Sequence, residues 1–163
     1  MKIGILGGSF DPAHKGHLAI SKEARKRFKL EKIIWAITKK NPLKAESKTP
    51  ISKKIKDCKK IIGLNSFIKV KFYENIIKSN KTIDLINYLK KNKKIEIFFL
   101  MGADNLISFH KWHKSELISQ KCNIIVFDRH GYKKNSLKSK TFKRLNNKTL
   151  TFVEFKKVNI SSS

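Results

Sequence analysis

At 163 residues the chain is long enough to bury a real core in one domain and too short for two comfortable ones. No stretch approaches the roughly 18 consecutive apolar residues of a membrane-spanning helix. The formal charge of +26 at pH 7 is almost all lysine, with arginine only at Arg25, Arg27, Arg129 and Arg144. These lysines are spread over the whole length and aromatic residues do not interleave with the basic runs. The charge therefore reads as a solvated surface rather than a nucleic-acid platform, although it would still draw anionic nucleotides. The start, MKIGILGGSFDP, has one lysine, a very short apolar run, and then Phe10 and Asp11 where a signal peptide would place small residues. Cys58 and Cys122 lie far apart without CxxC spacing, suggesting neither a disulfide framework nor a zinc knuckle. The expected location is the cytoplasm, with neither nucleic acid nor membrane as partner.

In chain order, Lys2–Gly7 reads as a short buried strand. From His17 to about Phe28, Leu18, Ala24 and Phe28 mix with charges at helical spacing. A second strand runs from Glu31 or Lys32 through Thr38. Residues 39–50 are polar, contain two prolines and read as a loop long enough to have a function. Ser52 to Ile62 is a basic amphipathic helix ended by Gly63. A third strand covers Ile68–Tyr73, and Thr82 opens a helix through Leu89. Ile95–Met101 is a continuous apolar run of the kind found in a central parallel strand. Gly102 then makes a turn into one or two short helices. Asn123–Asp128 is a fifth strand, residues 129–149 give no clear pattern, and Leu150–Phe155 is a sixth strand. Strands alternating with helices indicate an α/β domain around a mostly parallel sheet, with ligands beyond the carboxyl ends of its strands.

The loop after the first strand, GGSFDPAHKGH, carries the chemistry. It lacks the GxxxxGK[ST] order of a P-loop and the GxGxxG of a dinucleotide fingerprint. Its glycines allow close backbone approach and Pro12 stiffens the turn. His14 and His17, at i and i+3, can face one side at a helix N-terminus, where backbone N–H groups and the dipole favour phosphate. This is a cradle for a transferring phosphoryl group. His110 and His113 repeat the HxxH spacing, but no HExxH pattern or cysteine partner accompanies them, so no protein-held metal is expected.

GGSFDPAHKGH resembles the GxFDPxHxGH signature of the nucleotidyltransferase superfamily with the paired-histidine motif. LMGADN followed by FHKWH resembles the nicotinate-nucleotide adenylyltransferases of bacterial NAD synthesis. The resemblance covers essentially the whole chain. It implies a Rossmann-like, mostly parallel sheet with helices on both faces, in a single domain spanning 1–163. The implied reaction is adenylyl transfer from ATP, with Mg2+ bound to it, to the phosphate of nicotinate mononucleotide. Its products are nicotinate adenine dinucleotide and pyrophosphate. By matching position, His14 and His17 would be catalytic and contact the ATP phosphates. Gly8, Ser9, Phe10 and Gly16 would line the nucleotide, and Lys44 in NPLK matches a lysine of the family's loop. Gly102 and Asp104 form the turn whose carboxylate would take ribose hydroxyls. A helix N-cap accounts for Asp104 equally well in sequence. Trp112 matches the tryptophan that stacks on the nicotinate ring. Thr82 matches a threonine near the nicotinate carboxylate, or is a plain N-cap. Backbone N–H groups around Trp112-His113 would help select carboxylate over amide, and Arg129 matches an arginine near the nucleotide.

One departure stands out. The family carries a serine/threonine turn, then an aliphatic residue and an arginine that grips the triphosphate at the start of a closing helix. Here Ser161 and Ser162 supply the turn and the sequence stops at Ser163, so the expectation is a domain lacking its C-terminal helical part. The alternatives are a relative with another acceptor, such as nicotinamide mononucleotide or phosphopantetheine, and a nucleotide-binding module without turnover.

Overall fold

The structure is a computed structural model that describes residues 1–39, 48–128, 135, 137–145 and 149–154. Six strands form one all-parallel sheet: β1 (Lys2–Gly8), β2 (Lys32–Ile37), β3 (Ile68–Lys71), β4 (Glu96–Gly102), β5 (Asn123–Phe127) and β6 (Leu150–Val153). Their spatial order is β3-β2-β1-β4-β5-β6, so the chain starts at the centre, winds outward one way, and returns to wind the other way. That order is the Rossmann arrangement, with its switch point between β1 and β4.

The described helices are α1 (Lys15–Phe28), α2 (Ile51–Ile62), α3 (Glu74–Ile77), α4 (Thr82–Leu89), α5 (Ala103–Ser108), α6 (Ser115–Lys121) and α7 (Lys140–Leu145), with a 3-10 turn at Phe109–Lys111. The two-residue period of the strands splits the core in two. Ile3, Ile5, Ile34, Ile97, Phe99, Met101, Ile124 and Val126 pack with Ile83, Ile86, Leu106, Phe109 and Ile118, under α4, α5, the 3-10 turn and α6. Leu6, Ile33, Trp35, Ile37, Phe98, Leu100, Ile125 and Phe127 pack with Ile20, Ala24, Cys58 and Ile62, under α1 and α2. Helices thus cover both faces, as the near-continuous apolar strands require.

Several boundaries move for identifiable reasons. Helix α1 begins at Lys15, two residues before the expected His17, because His14 is its N-cap. Gly102 is not a turn residue: β4 runs through it and it caps α5 directly. Asp104 is therefore the second residue of α5 and not its N-cap. Thr82 is likewise not a cap, since Lys81 stands there without a side-chain bond. The entry to α4 is tied instead by Ser79, whose Oγ accepts from the Lys81 N–H at 3.0 Å and donates to Asp84 at 2.6 Å. The strand expected over Ile68–Tyr73 ends at Lys71, and the one-turn α3 that follows has too few residues to show a period. Gly63 (φ 56°) closes α2 as anticipated. Both cysteines are buried and unpaired as a disulfide.

The basic last turn of α1, with Arg25, Lys26 and Arg27, places cations where the carbonyl end of a helix favours them. Arg25 also lies over the Phe67 ring at 4.4 Å. That part of the positive charge has a structural explanation.

Of the three glycines of β1, Gly4 has the tightest surroundings. A Cβ there would lie 2.9 Å from Leu30 Cδ1 and 3.2 Å from Ile33 Cγ1, whereas one at Gly7 would meet Phe99 Cζ at an ordinary 3.7 Å. Gly4→Val should therefore lower stability by about 1–3 kcal/mol through overpacking, and Gly7→Ala should leave it within about 0.5 kcal/mol. Denaturant midpoints of the two variants measure the difference.

Candidate active site

The first loop leaves β1 at Gly8, whose carbonyl accepts from the Thr38 N–H at 2.8 Å at the matching end of β2. Two residues on, Phe10 adopts φ 48°, a left-handed conformation that costs a non-glycine residue about 1–2 kcal/mol. What offsets it is burial: the Phe10 side chain is 1% exposed, and covering such a ring contributes about 1.5–3 kcal/mol. The ring lies 5.2 Å from Trp35, nearly parallel at 18°, and 4.6 Å from His17. The turn at Phe10 is the conformation that drives this ring under the start of α1.

At that start the two histidines cap the helix reciprocally. His14, extended at φ −147° and ψ 173°, is the N-cap, and His17 is the third helical residue. His14 Nδ1 accepts from the Gly16 N–H at 3.1 Å, and His17 Nδ1 accepts from the His14 N–H at 3.1 Å. The His17 N–H donates to the His14 carbonyl at 3.0 Å. This is the capping-box geometry with imidazoles in place of the usual hydroxyl and carboxylate. A ring nitrogen that accepts from a backbone N–H carries no proton of its own, so each ring's proton belongs on Nε2. The two rings stack with centroids 4.0 Å apart and planes 29° apart, and in each ring Nε2 is the nitrogen that does not bond the backbone N–H.

The same cap alters one expectation. The N–H groups of His14, Gly16 and His17 are engaged within the turn, so these backbone groups are not left to receive a phosphate. Gly16 is buried and serves the turn through its bond to His14.

Two residues that sequence reading did not select hold the pair from below. Trp35, fully buried in β2, donates from Nε1 to Ser21 Oγ at 2.8 Å, and the Ser21 hydroxyl donates to the His17 carbonyl at 2.8 Å. Ser21 lies one turn after His17 on the same helix, a spacing visible in sequence. Its link to Trp35 depends on the β1–β2 pairing and was not.

The second group of residues follows β4. Leu6 pairs with Leu100 and Gly102 with Phe127, so Gly8 and Gly102 stand at the same end of the sheet. Asp104 is half-buried in the first turn of α5. Trp112 follows the 3-10 turn, half-buried, with its ring edge-on to Phe99 at 5.9 Å and tilted against Phe109 at 5.1 Å. His113 is exposed. Thr82 opens α4, whose Ile83 and Ile86 join the same core as Phe109 and carry Trp112 at its edge. The structure thus gathers Gly8, Ser9, Phe10, His14, Gly16 and His17 into one unit on the α1 face, and Gly102, Asp104, Trp112, His113 and Thr82 on the other face. Lys44, Arg129, Ser161 and Ser162 lie outside the described residues. Among the described residues no group of three or more His, Cys, Asp or Glu is placed to hold a metal ion, and no helix is long and apolar enough to cross a membrane.

The cytidylyltransferase-like family matches residues 5–163. A probable nicotinate-nucleotide adenylyltransferase of Pelagibacter ubique is 67% identical over 162 residues, covering 99% of this chain and 90% of that protein. One from a Bradyrhizobium species is 36% identical over 130 residues, covering 79% of this chain and 68% of its own length. In fold, the chain is similar to the Plasmodium falciparum nicotinic acid mononucleotide adenylyltransferase solved with NaAD, with a TM-score of 0.75 at 19% identity over 97% of this chain and 77% of that one. The same enzyme complexed with APC gives 0.77 at 20% identity, over 97% of this chain and 76% of that one. The chain belongs to the cytidylyltransferase-like family and, within it, to the nicotinate-nucleotide adenylyltransferases.

Proposed function

We propose that this chain transfers the adenylyl group of ATP, taken as its magnesium complex, to the phosphate of nicotinate mononucleotide, as a cytoplasmic step of NAD synthesis. The observation that carries the reading is the reciprocal histidine cap, which fixes two stacked imidazoles through their Nδ1 atoms at the carboxyl end of the central strands. In the reaction an oxygen of the acceptor phosphate bonds to the α-phosphorus of ATP. The bond from that phosphorus to the α,β-bridging oxygen breaks, and pyrophosphate leaves with the electron pair. No nucleophilic side chain is needed. The protein's task is alignment and stabilisation of charge as it shifts onto the leaving group.

His14 and His17 suit that task because their donors are pre-oriented: each ring is held at Nδ1 by a backbone N–H and, for His17, from below by Phe10. Donors that need no reorganisation are most effective where charge develops. Gly8, Ser9 and Phe10 line the nucleotide with their backbone, and the packing around Gly8 would accept a methyl group, with Phe10 at 3.7 Å. What glycine keeps clear there is the space beyond the strand end. Asp104 takes the adenosine ribose. Trp112, anchored on Phe99 and Phe109, offers the indole face to the cationic pyridinium of the acceptor, an attraction of about 0.5–2 kcal/mol. Thr82 and the N–H groups at Trp112-His113 face the nicotinate carboxylate. Lys44, Arg129, Ser161 and Ser162 rest on the resemblance alone. Magnesium travels on the phosphate oxygens, the usual manner for an ion that dehydrates reluctantly.

Incubation with magnesium, ATP and nicotinate mononucleotide should release pyrophosphate. Release with nicotinamide mononucleotide or phosphopantetheine but not with nicotinate mononucleotide would move the assignment to another acceptor, and release with none would leave only nucleotide binding. The two duties of His17 separate by substitution. His17→Asn retains an acceptor for the His14 N–H but has no donor at the Nε2 position. It should unfold near the parent temperature while kcat falls by about 10²–10³-fold. His17→Ala should show the same kinetic loss plus about 1 kcal/mol of stability, through loss of the cap. Trp112→Leu keeps an apolar group on Phe99 but removes the π face. The KM of the acceptor should rise by about 2- to 30-fold, with that of ATP unchanged in initial-rate measurements.

A further inference from the structure

Lys54 is among the most deeply buried side chains of the chain, at 1% exposure, and none of the roles assigned above uses it. It sits in the first turn of α2, and its Nζ points to the Thr38 carbonyl at 3.4 Å, at the carboxyl end of β2. Thr38 is itself held on its other side, its Oγ1 donating to Glu74 Oε2 at 2.6 Å, while the next N–H, that of Lys39, donates to Glu74 Oε1 at 3.1 Å. The first loop joins the same neighbourhood through Asp11, whose Oδ1 accepts from Thr49 Oγ1 at 2.7 Å, just before α2. Asp11 and Glu74 are also the two carboxylates whose fields act on the Lys54 ammonium. Those two carboxylates belong to different elements, the histidine-bearing loop and α3.

An ammonium taken out of water is costly unless it is paired. Desolvation pulls the Lys54 pKa below its ordinary value, and Asp11 and Glu74 act to hold it up. A solvated lysine at this position would have served α2 as a helix former without that burden, and this chain has lysine to spare on its surface. The burial has a consequence for the site. Asp11 lies between Phe10 and His14 in the loop that carries the phosphate donors, so whatever fixes Asp11 fixes the entry of that loop into its cap.

We infer that Lys54 is a positioning residue for the ATP half of the site: from the first turn of α2 it holds the end of β2 at the Thr38 carbonyl, and the Thr38 N–H in turn holds the Gly8 carbonyl from which the first loop departs. The inference rests on the adenylyl-transfer reading and adds to it a residue that touches no substrate. It separates ATP from the acceptor, because Lys54 in α2 and Phe10 of the first loop stand on the α1 and α2 face, whereas Trp112 packs on the opposite core.

The test is steady-state kinetics on the full chain with Lys54→Met, which keeps length and removes charge. The expected result is a fall in kcat/KM for ATP of about 10- to 100-fold, the scale of a small misplacement at a reacting centre. The KM for nicotinate mononucleotide should change less than about twofold. Ile118→Ala, a core substitution on the other face, supplies a destabilised control that should keep the parent kcat/KM at a temperature where it is folded. The imidazole NMR signals of His14 and His17 should shift in Lys54→Met and not in Ile118→Ala, a readout independent of turnover. If Lys54→Met does not fold, Lys54→Arg, which retains the charge, is compared with Lys54→Gln by the same kinetics and spectra, and only the former should stay near the parent. Parent protein without pyrophosphate release would sink the adenylyl-transfer reading. Active parent with unchanged ATP kinetics and histidine signals in Lys54→Met, or an equal loss for both substrates, would overturn the role of Lys54.

Discussion

Helix α1 starts on a pair of imidazoles that each accept a backbone N–H through Nδ1, and most of the neighbouring architecture serves that arrangement. A helix start has orphan donors that must find acceptors. Serine or aspartate would provide them more compactly, but neither would leave a second donor projecting outward. Histidine has two nitrogens at opposite corners of a flat ring, so one can satisfy the helix while the other faces a ligand. Using both rings in the reciprocal form engages three N–H groups, at His14, Gly16 and His17, and transfers the donor function from backbone to side chain. The local strain at Phe10 follows from this. Phe10 must turn under the rings to support His17, and Trp35 and Ser21 complete a support that runs from β2 to the His17 carbonyl. The cap is thus fixed at both ends, by its own hydrogen bonds and by the sheet beneath it.

The sheet order then decides what can meet the histidines. Because the chain begins in the middle, β1 has α1 after it on one face, while β4, its neighbour, has α5 and the 3-10 turn after it on the other. The loops from these two adjacent strands diverge, and the space between them is where two ligands can lie end to end. The two-residue period that sends Leu100 to one core and Phe99 to the other also gives each half-site its own foundation. His14 and His17 rest on the Phe10–Trp35 side, and Trp112 rests on Phe99 and Phe109. A reaction joining two nucleotides fits a site whose halves are supported independently but share one strand pair.

Much of this was legible in the sequence because it is written in short-range patterns. Six apolar runs gave six strands, and Gly63 ended α2 as its position implied. The loop GGSFDPAHKGH marked the side proposed for phosphate without reference to any neighbour. What was not legible depends on pairing across the sheet. Trp35 looks like one more apolar residue of KIIWAIT until β2 is placed beside β1. Lys54 looks like one of many lysines until α2 is laid over the end of β2. Thr82 and Asp104 have the composition of N-caps, yet the helices start elsewhere, because Ser79 ties one entry and β4 runs through Gly102 into the other. A four-residue helix such as α3 carries no period to read, and it supplies Glu74.

The surplus of positive charge bears on the site less than its size suggests. At physiological ionic strength, fields of exposed lysines fade over roughly 8 Å, so most of the charge can attract a nucleotide to the surface but cannot organise it there. Diffuse attraction also favours ATP, pyrophosphate and the dinucleotide product alike, and a uniform gain in binding does not lower a barrier. Discrimination needs donors whose direction fits the charge of the transition state better than that of the bound reactant. Paired Nε2–H groups, each locked in one tautomer by a backbone bond and held by stacked rings, are donors of that kind. The same logic explains how carboxylates can stand close to a phosphate site. Asp11 accepts from Thr49, and Glu74 from Thr38 and the Lys39 N–H, bonds that fix the loop and the strand end on which those donors depend, and the buried Lys54 ammonium lies within the fields of both.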